Sequence, residues 1–339
     1  MPASQKMRPN LRSFTLKIDL EKLFIKIFVH TLDPAPRYDK FYIFNLLAMD
    51  SNVNCGTVDF KVGDETFHTW YKVLGSLKSE KTPIVALHGG PGMTHHYMLF
   101  PVVFYDQIGN GASSHILDKP DTFWTVDLFM DELDNLLKYL GIYDNFLLLG
   151  HSWGGMLAGN YAASRAPSGL KKLIIANSPA SIPSFIAGTN ALLDLFPADY
   201  VERVRSLEAE GKTDSPVYQT DVMEFYKKHV CTTDPWPQGL VDSFNAVSKN
   251  PMVYHSMFGV SEFNITGTLK DWSIVEILHQ IPYTTLLISA PLDEVQEIAF
   301  LPFFVNIPKV KWVEIPTSTH LAMYEDPERY FDAIVKFFS

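Results

Sequence analysis

From about residue 56 onward the apolar positions of the chain fall into two alternating textures. "TVDFKV" (57–62) and "TFHTWYKVLG" (66–75), with Gly63-Asp64 between them, predict an antiparallel pair closed by a turn. The runs at 83–88, 101–106, 145–151, 170–178, 284–290 and 310–316 are rich in apolar or β-branched residues, the pattern of buried parallel strands. Between them lie helical periods. "TVDLFMDELDNLLKYLG" puts Leu128, Phe129, Leu133, Leu136, Leu137 and Leu140 on one side, with Thr125 to start the helix and Gly141 to stop it. Strands alternating with helices predict an α/β fold with a mainly parallel sheet covered on both faces. Residues 180–270 interrupt that alternation with helix-like stretches, a Pro-rich "TTDPWPQG" and no strong strand. They predict a helical cap over the carboxyl edge of the sheet. The expected organisation is a core of 55–179 and 271–339, a cap of 180–270 and an N-terminal extension of 1–54.

The extension has its own pattern. Leu20, Leu23, Phe24 and Ile27 follow the i, i+3, i+4, i+7 spacing of an amphipathic helix, which Glu21, Lys22 and Lys26 make too polar for a signal peptide and which is too short to span a bilayer. Lys6, Arg8, Arg12 and Lys17 precede the first acid at Asp19, so a transit peptide is the alternative to an extension that packs on the body or is poorly ordered, with Met49 a candidate start of the ancestral domain. Charge narrows the partners. A formal net charge of -10 leaves no basic face for nucleic acid, and no membrane partner is expected. Cys55 and Cys231 lack metal-ligand spacing, which fits reduced thiols, a cytoplasmic location and no bound metal.

The chemistry concentrates at strand ends. Gly150-His151-Ser152-Trp153-Gly154 follows one buried run and precedes a helix rich in small residues, the context in which G-x-S-x-G presents a nucleophile. A sharp turn there strains the serine backbone, and small residues at 150 and 154 let the chain close around it. The helix N-terminus at Trp153 offers a free N–H where an oxyanion would form. On such a turn the partners follow in the order serine, acid, histidine. Asp293 in "SAPLDE" and His320 in "PTSTHLAMY" each follow a predicted strand, so His320 is the expected base and Asp293 its orienting acid. "HGGPG" (88–92) ends the first buried run, and Gly89 or Gly90 is expected to supply the second oxyanion N–H. "DQIGNGAS" lacks the Lys-Ser/Thr of a phosphate loop and reads as a turn beside the site. His95 and His96 form no H-E-x-x-H pair, and solvent or a core hydrogen bond is their expected role.

Taken together, "LHGGPGMTHHYML", "PVVFYDQIGNGAS", "LLGHSWGGMLAGNYA", "SEFNITGTLKDW" and "STHLAMYEDPERY" resemble the proline iminopeptidase group of α/β-hydrolases, especially the branch of the tricorn-interacting aminopeptidase. The resemblance covers about residues 56–339. It implies an α/β-hydrolase fold with a cap, no cofactor, and release of N-terminal residues from short peptides or amino-acid amides. It also implies that Glu262 recognises the substrate ammonium, with Asp234 or Glu224 as a second acid. An ester or lactone hydrolase is the alternative of the same fold. Two features depart from the group. Its members usually have a dozen more residues after HGGPG, where this chain has only Met93 to Phe100, so a locally uncovered sheet, a displaced strand or an impaired enzyme is expected. They also tend to read Gly-Arg-Tyr-Asp-Glu where this chain has "SAPLDE", with Pro291 ahead of the acid.

Overall fold

In the computed structural model, which describes residues 53–79, 81–99 and 102–338, the predicted strands assemble into one sheet. β1 (Val53–Val62) and β2 (Glu65–Leu74) are the antiparallel pair, and β2 joins β4 (Val103–Asp106) antiparallel. From β4 the sheet is parallel through β3 (Ile84–Leu87), β5 (Phe146–His151), β6 (Leu170–Ala176), β9 (Thr284–Ser289) and β10 (Val310–Glu314). The buried runs are strands because both of their faces are covered; the exception is β10, which lies at the edge of the sheet and has no buried residue, contrary to the expectation for 310–316. Val85, Leu87, Leu148, Leu173, Ile175 and Leu287 pack on one side, while Ile84, Ala86, Leu149, Ile174, Leu286 and Ile288 pack on the other, the two-residue period of a pleated strand.

Helices cover both sides. On the first lie α1 (Val126–Tyr139) and α2 (Trp153–Ser164), joined by Phe300 and Phe303 of α8 (Glu297–Asn306). On the second lie Tyr330, Ile334 and Phe337 of α10 (Pro327–Phe338). α1 starts as predicted: the Thr125 side chain accepts from the Leu128 N–H, and Gly141 ends the segment with φ of 69°. α9 (Ala322–Glu325) is a single turn before α10.

Between β6 and β9 the chain is mostly helical: α3 (Ile182–Leu193), α4 (Ala198–Ala209), α5 (Pro216–His229), α6 (Gln238–Lys249) and α7 (Met252–Met257). One element there differs from the sequence reading. β7 (Gly259–Ser261) and β8 (Asn264–Ile265) form a small antiparallel hairpin with Glu262 and Phe263 at its turn. Strands this short have no readable alternation, and the register shifts beside Gly259, whose φ is 134°.

The short link after β3 neither displaces β4 nor leaves it bare. Val85 pairs with Val103 and Ala86 with Phe104, in parallel register. The link contains only a 3-10 turn, His95–Tyr97, and α6 of the insertion lies against it. A Cβ on Gly239 would overlap the His96 carbonyl, and the Thr94 hydroxyl bonds Ser243 of α6 at 2.8 Å. Asp106, at the end of β4, takes the His95 N–H and Nδ1 at 3.0 and 2.7 Å. Thus His95 has the core hydrogen bond expected of it. Among the described residues no helix is long and apolar enough to cross a membrane. The amphipathic pattern at 20–27 lies outside the described residues.

Candidate active site

The parallel strands deliver their following loops to one edge, and the candidate residues lie there. Ser152 sits between β5 and α2 with φ 57° and ψ -127°, a conformation costing about 1–3 kcal/mol that persists only where neighbours enforce it. The enforcement is steric. A Cβ on Gly150 would overlap the Gly154 carbonyl, and a Cβ on Gly154 would overlap the carbonyl of Leu87 in β3. Ser152 is partly exposed, while its neighbours His151 and Trp153 are buried.

His320 and Asp293 meet as the spacing predicted. His320 Nδ1 lies 2.8 Å from Asp293 Oδ1, with His320 5% exposed and Asp293 fully buried. Asp293 is itself held: Oδ1 accepts the Val295 N–H at 2.9 Å and Oδ2 accepts from the Asn177 amide at 2.8 Å. A carboxylate so bonded fixes the ring tautomer, leaving Nε2 as the nitrogen free to exchange a proton. Pro291 does not misdirect the loop. Two backbone bonds tie both loops to the end of α5, since the His229 carbonyl accepts from Glu294 N and His320 N at 3.3 and 3.2 Å.

At the HGGPG turn the choice between Gly89 and Gly90 narrows. The Gly89 N–H is taken by the Tyr97 hydroxyl at 2.5 Å. Among the described residues the Gly90 and Trp153 N–H groups have no acceptor, and Gly90 has φ of 112°, open only to a residue without a Cβ. Trp153 directs its indole away, donating to Gln107 Oε1 at 2.9 Å, so "DQIGNGAS" packs beside the site.

A cluster of acids faces His320. Glu294 Oε1 stands 3.7 Å from His320 Nε2, and its Oε2 is buried without a hydrogen-bond partner among the described residues. Glu262, partly exposed, accepts from the Tyr254 hydroxyl at 3.0 Å. Burial raises the Glu262 carboxyl to about 7, although the nearby His320 opposes the shift. Glu294 is pushed well above the carboxylate range, first by burial and then by Glu262 and Asp293. Two carboxyls that resist ionising together form a site that gains when a cation enters.

The α/β-hydrolase family profile matches residues 84–333. A proline iminopeptidase of Flavobacterium johnsoniae is 34% identical over 286 residues, 80% of this chain and 93% of that protein. One from Saccharolobus solfataricus is 32% identical, covering 81% and 89%. Among solved structures, VinJ is 40% identical with a TM-score of 0.80, covering 84% of this chain and 98% of that one. The Mycobacterium smegmatis proline iminopeptidase is 36% identical with a TM-score of 0.75, covering 84% and 97%. The chain belongs to the α/β-hydrolase family. Within that family it is proline iminopeptidase-like, and no one branch of the group is singled out.

For an α/β-hydrolase the predicted residues divide clearly. Asp293 and His320 are hydrogen-bonded to each other, Glu262 lies close enough to His320 to feel its charge, and Gly89 lies against Ser152. Asp234 and Glu224 are both exposed, and Glu224 pairs with Lys227 at 3.3 Å. Among the described residues neither bonds to any group of the hydrolase cluster. The second buried acid beside His320 is Glu294. Its signal in the sequence is the Asp-Glu pair that ends "SAPLDE", one position after the predicted acid.

Proposed function

We propose that the protein is a serine aminopeptidase that releases an N-terminal residue, proline or another small apolar one, from short peptides or amino-acid amides. The observation that carries the reading is the buried carboxyl of Glu294, 3.7 Å from His320 Nε2 with one oxygen unpartnered, in electrostatic reach of Glu262. The α-ammonium of a substrate lies one carbon from the scissile carbonyl, so acids beside the proton shuttle suit an exopeptidase. They do not suit a simple ester, which brings no cation to offset their burial. The insertion between β6 and β9 acts as the cap that carries Glu262.

The chemistry follows from the assigned residues. Ser152 Oγ attacks the carbonyl carbon while its proton passes to His320 Nε2, and Asp293 stabilises the imidazolium. The oxyanion lies between the N–H groups of Gly90 and Trp153, each worth roughly 3 kcal/mol of barrier. His320 then gives its proton to the leaving nitrogen as the C–N bond breaks. Water, deprotonated by His320, attacks the acyl-enzyme; the bond from the acyl carbon to Ser152 Oγ breaks, His320 returns the proton to Oγ, and the free amino acid leaves. No step calls for a metal or cofactor.

A fluorophosphonate probe tests the nucleophile, and a panel of aminoacyl arylamides and simple esters tests the substrate class. The expected result is one label on the Ser152 peptide, none on Ser152→Ala, and turnover of unblocked aminoacyl arylamides that Ser152→Ala abolishes. Folded wild-type protein that takes no label would refute the nucleophile. Labelled protein that turns over esters but no aminoacyl arylamide would refute the aminopeptidase.

A further inference from the structure

A directed line of hydrogen bonds runs beneath the HGGPG turn, and its central group belongs to the short link. The Tyr97 hydroxyl accepts from Gly89 N at 2.5 Å and lies 3.1 Å from His151 Nδ1; His151 Nε2 lies 2.9 Å from the His320 carbonyl oxygen. The ends fix the direction. A backbone N–H only donates and a carbonyl only accepts, so His151 carries its proton on Nε2, its Nδ1 accepts, and the Tyr97 O–H donates. Burial, reinforced by the nearby His320, holds His151 well below the ordinary histidine range, which keeps it in this neutral form. Tyr97 and His151 are each 1% exposed, so water does not compete for these bonds.

The space is as closely set as the bonds. A Cβ on Gly89 would come within 2.7 Å of the Tyr97 hydroxyl and 3.0 Å of Ser152 Cβ, so tyrosine, turn and nucleophile are already in contact there. Tyr97 is anchored from several elements. Its carbonyl accepts from Tyr324 at 2.9 Å, Asp106 holds the neighbouring His95, and Ser243 of α6 holds Thr94.

We propose that Tyr97 is a positioning residue for oxyanion stabilisation. By engaging the Gly89 N–H it leaves the Gly90 N–H to face the reacting carbonyl, and through His151 it ties that turn to Ser152 and His320. This rests on the serine-hydrolase reading above. A link too short for a crossover helix thereby still supports the turn that precedes it.

Tyr97→Phe removes the hydroxyl and keeps the ring. For an aminoacyl arylamide we expect kcat to fall about 10- to 100-fold, the scale of one misaligned oxyanion donor, with KM within about twofold. Affinity for an aminoacyl boronic acid, which adds to Ser152 as a tetrahedral anion, falls by a similar factor, while affinity for the free product amino acid is unchanged. Wild-type kcat and boronate affinity, or a loss confined to KM, overturns the proposal. Should Tyr97→Phe not fold, Tyr324→Phe loosens the same residue from its far side: a lower kcat at unchanged KM supports the assignment, and wild-type kcat overturns it. A wild-type enzyme that neither hydrolyses the arylamide nor binds the boronate refutes the hydrolase reading itself, whereas an active wild type matched by Tyr97→Phe refutes only the role of Tyr97.

Discussion

At the scale of single residues, the same desolvation raises carboxyls in two different places, with different consequences. Glu262 is raised to about 7 by burial, and Glu294 lies well above the carboxylate range, so below neutrality the pair offers an incoming ammonium little negative charge. The KM of an unblocked aminoacyl arylamide should therefore fall as pH rises from 6 to 7.5, and Glu262→Gln should raise KM about 10-fold or more and flatten that profile. Steady-state kinetics across this range checks it, with a pH-independent KM counting against the acid pair. Glu132 has no part in the site. Its Oε1 accepts from Thr69 at 2.5 Å and from the Ile108 N–H at 2.9 Å, and burial raises it to about 8. The unfolded chain ionises this group from about pH 4.5, while the folded protein keeps it protonated to about 8. In that window the unfolded state binds fewer protons, so stability falls as pH rises, by on the order of a few kcal/mol. Glu132→Gln keeps the Oε1 acceptor and should shrink the drop in Tm between pH 5.5 and 8.5, measured by calorimetry; an undiminished drop would exclude Glu132 as its source. Residue legibility followed local context. The Ser152 turn was legible because its glycines act within five positions, and the Asp293–His320 pair because each lies in the loop after a strand. The contacts of Tyr97 and Glu294 were not, since their partners are brought near only by the fold.

Elements were read more fully than residues, because burial on both faces leaves a run of consecutive apolar positions that little else imitates. The runs at 145–151 and 284–290 became Phe146–His151 and Thr284–Ser289. What sequence could not supply was compensation between distant elements. The link after β3 looked too short for its parallel crossover, yet α6, more than a hundred residues later, packs on it through Gly239. Adding one methyl there tests the contact. Gly239→Ala gains helix propensity of up to about 1 kcal/mol but meets the His96 carbonyl, an overpacking cost of about 1–3 kcal/mol. We expect a lower Tm together with a lower kcat, as the turn bearing Tyr97 shifts. A Tm at or above wild type would show that α6 does not support the link. The hairpin of β7 and β8 is too brief to carry a period, so the placing of Glu262 at its turn is visible only in the structure, while the resemblance implies the residue's role.

For the whole molecule, under the proposed aminopeptidase reading, the α/β-hydrolase sheet and the helical insertion divide the work. The sheet edge brings Ser152, Asp293 and His320 from β5, β9 and β10, and the insertion brings Glu262 from its hairpin and the His229 carbonyl from the end of α5. Chemistry from one part and selection from the other predicts that the two can be separated by changing only the substrate's amino group. The decisive measurement is kcat/KM for an L-prolyl or L-alanyl arylamide beside its N-acetylated counterpart, with the better of the two free amines as reference. Acetylation removes the cation and leaves the scissile bond, the arylamine and the side chain unchanged. Two charge-assisted hydrogen bonds at about 1.5–3 kcal/mol each predict a loss of at least about 100-fold on blocking. Equal turnover of free and blocked substrates would contradict recognition of an N-terminal ammonium and leave a serine hydrolase of another substrate class.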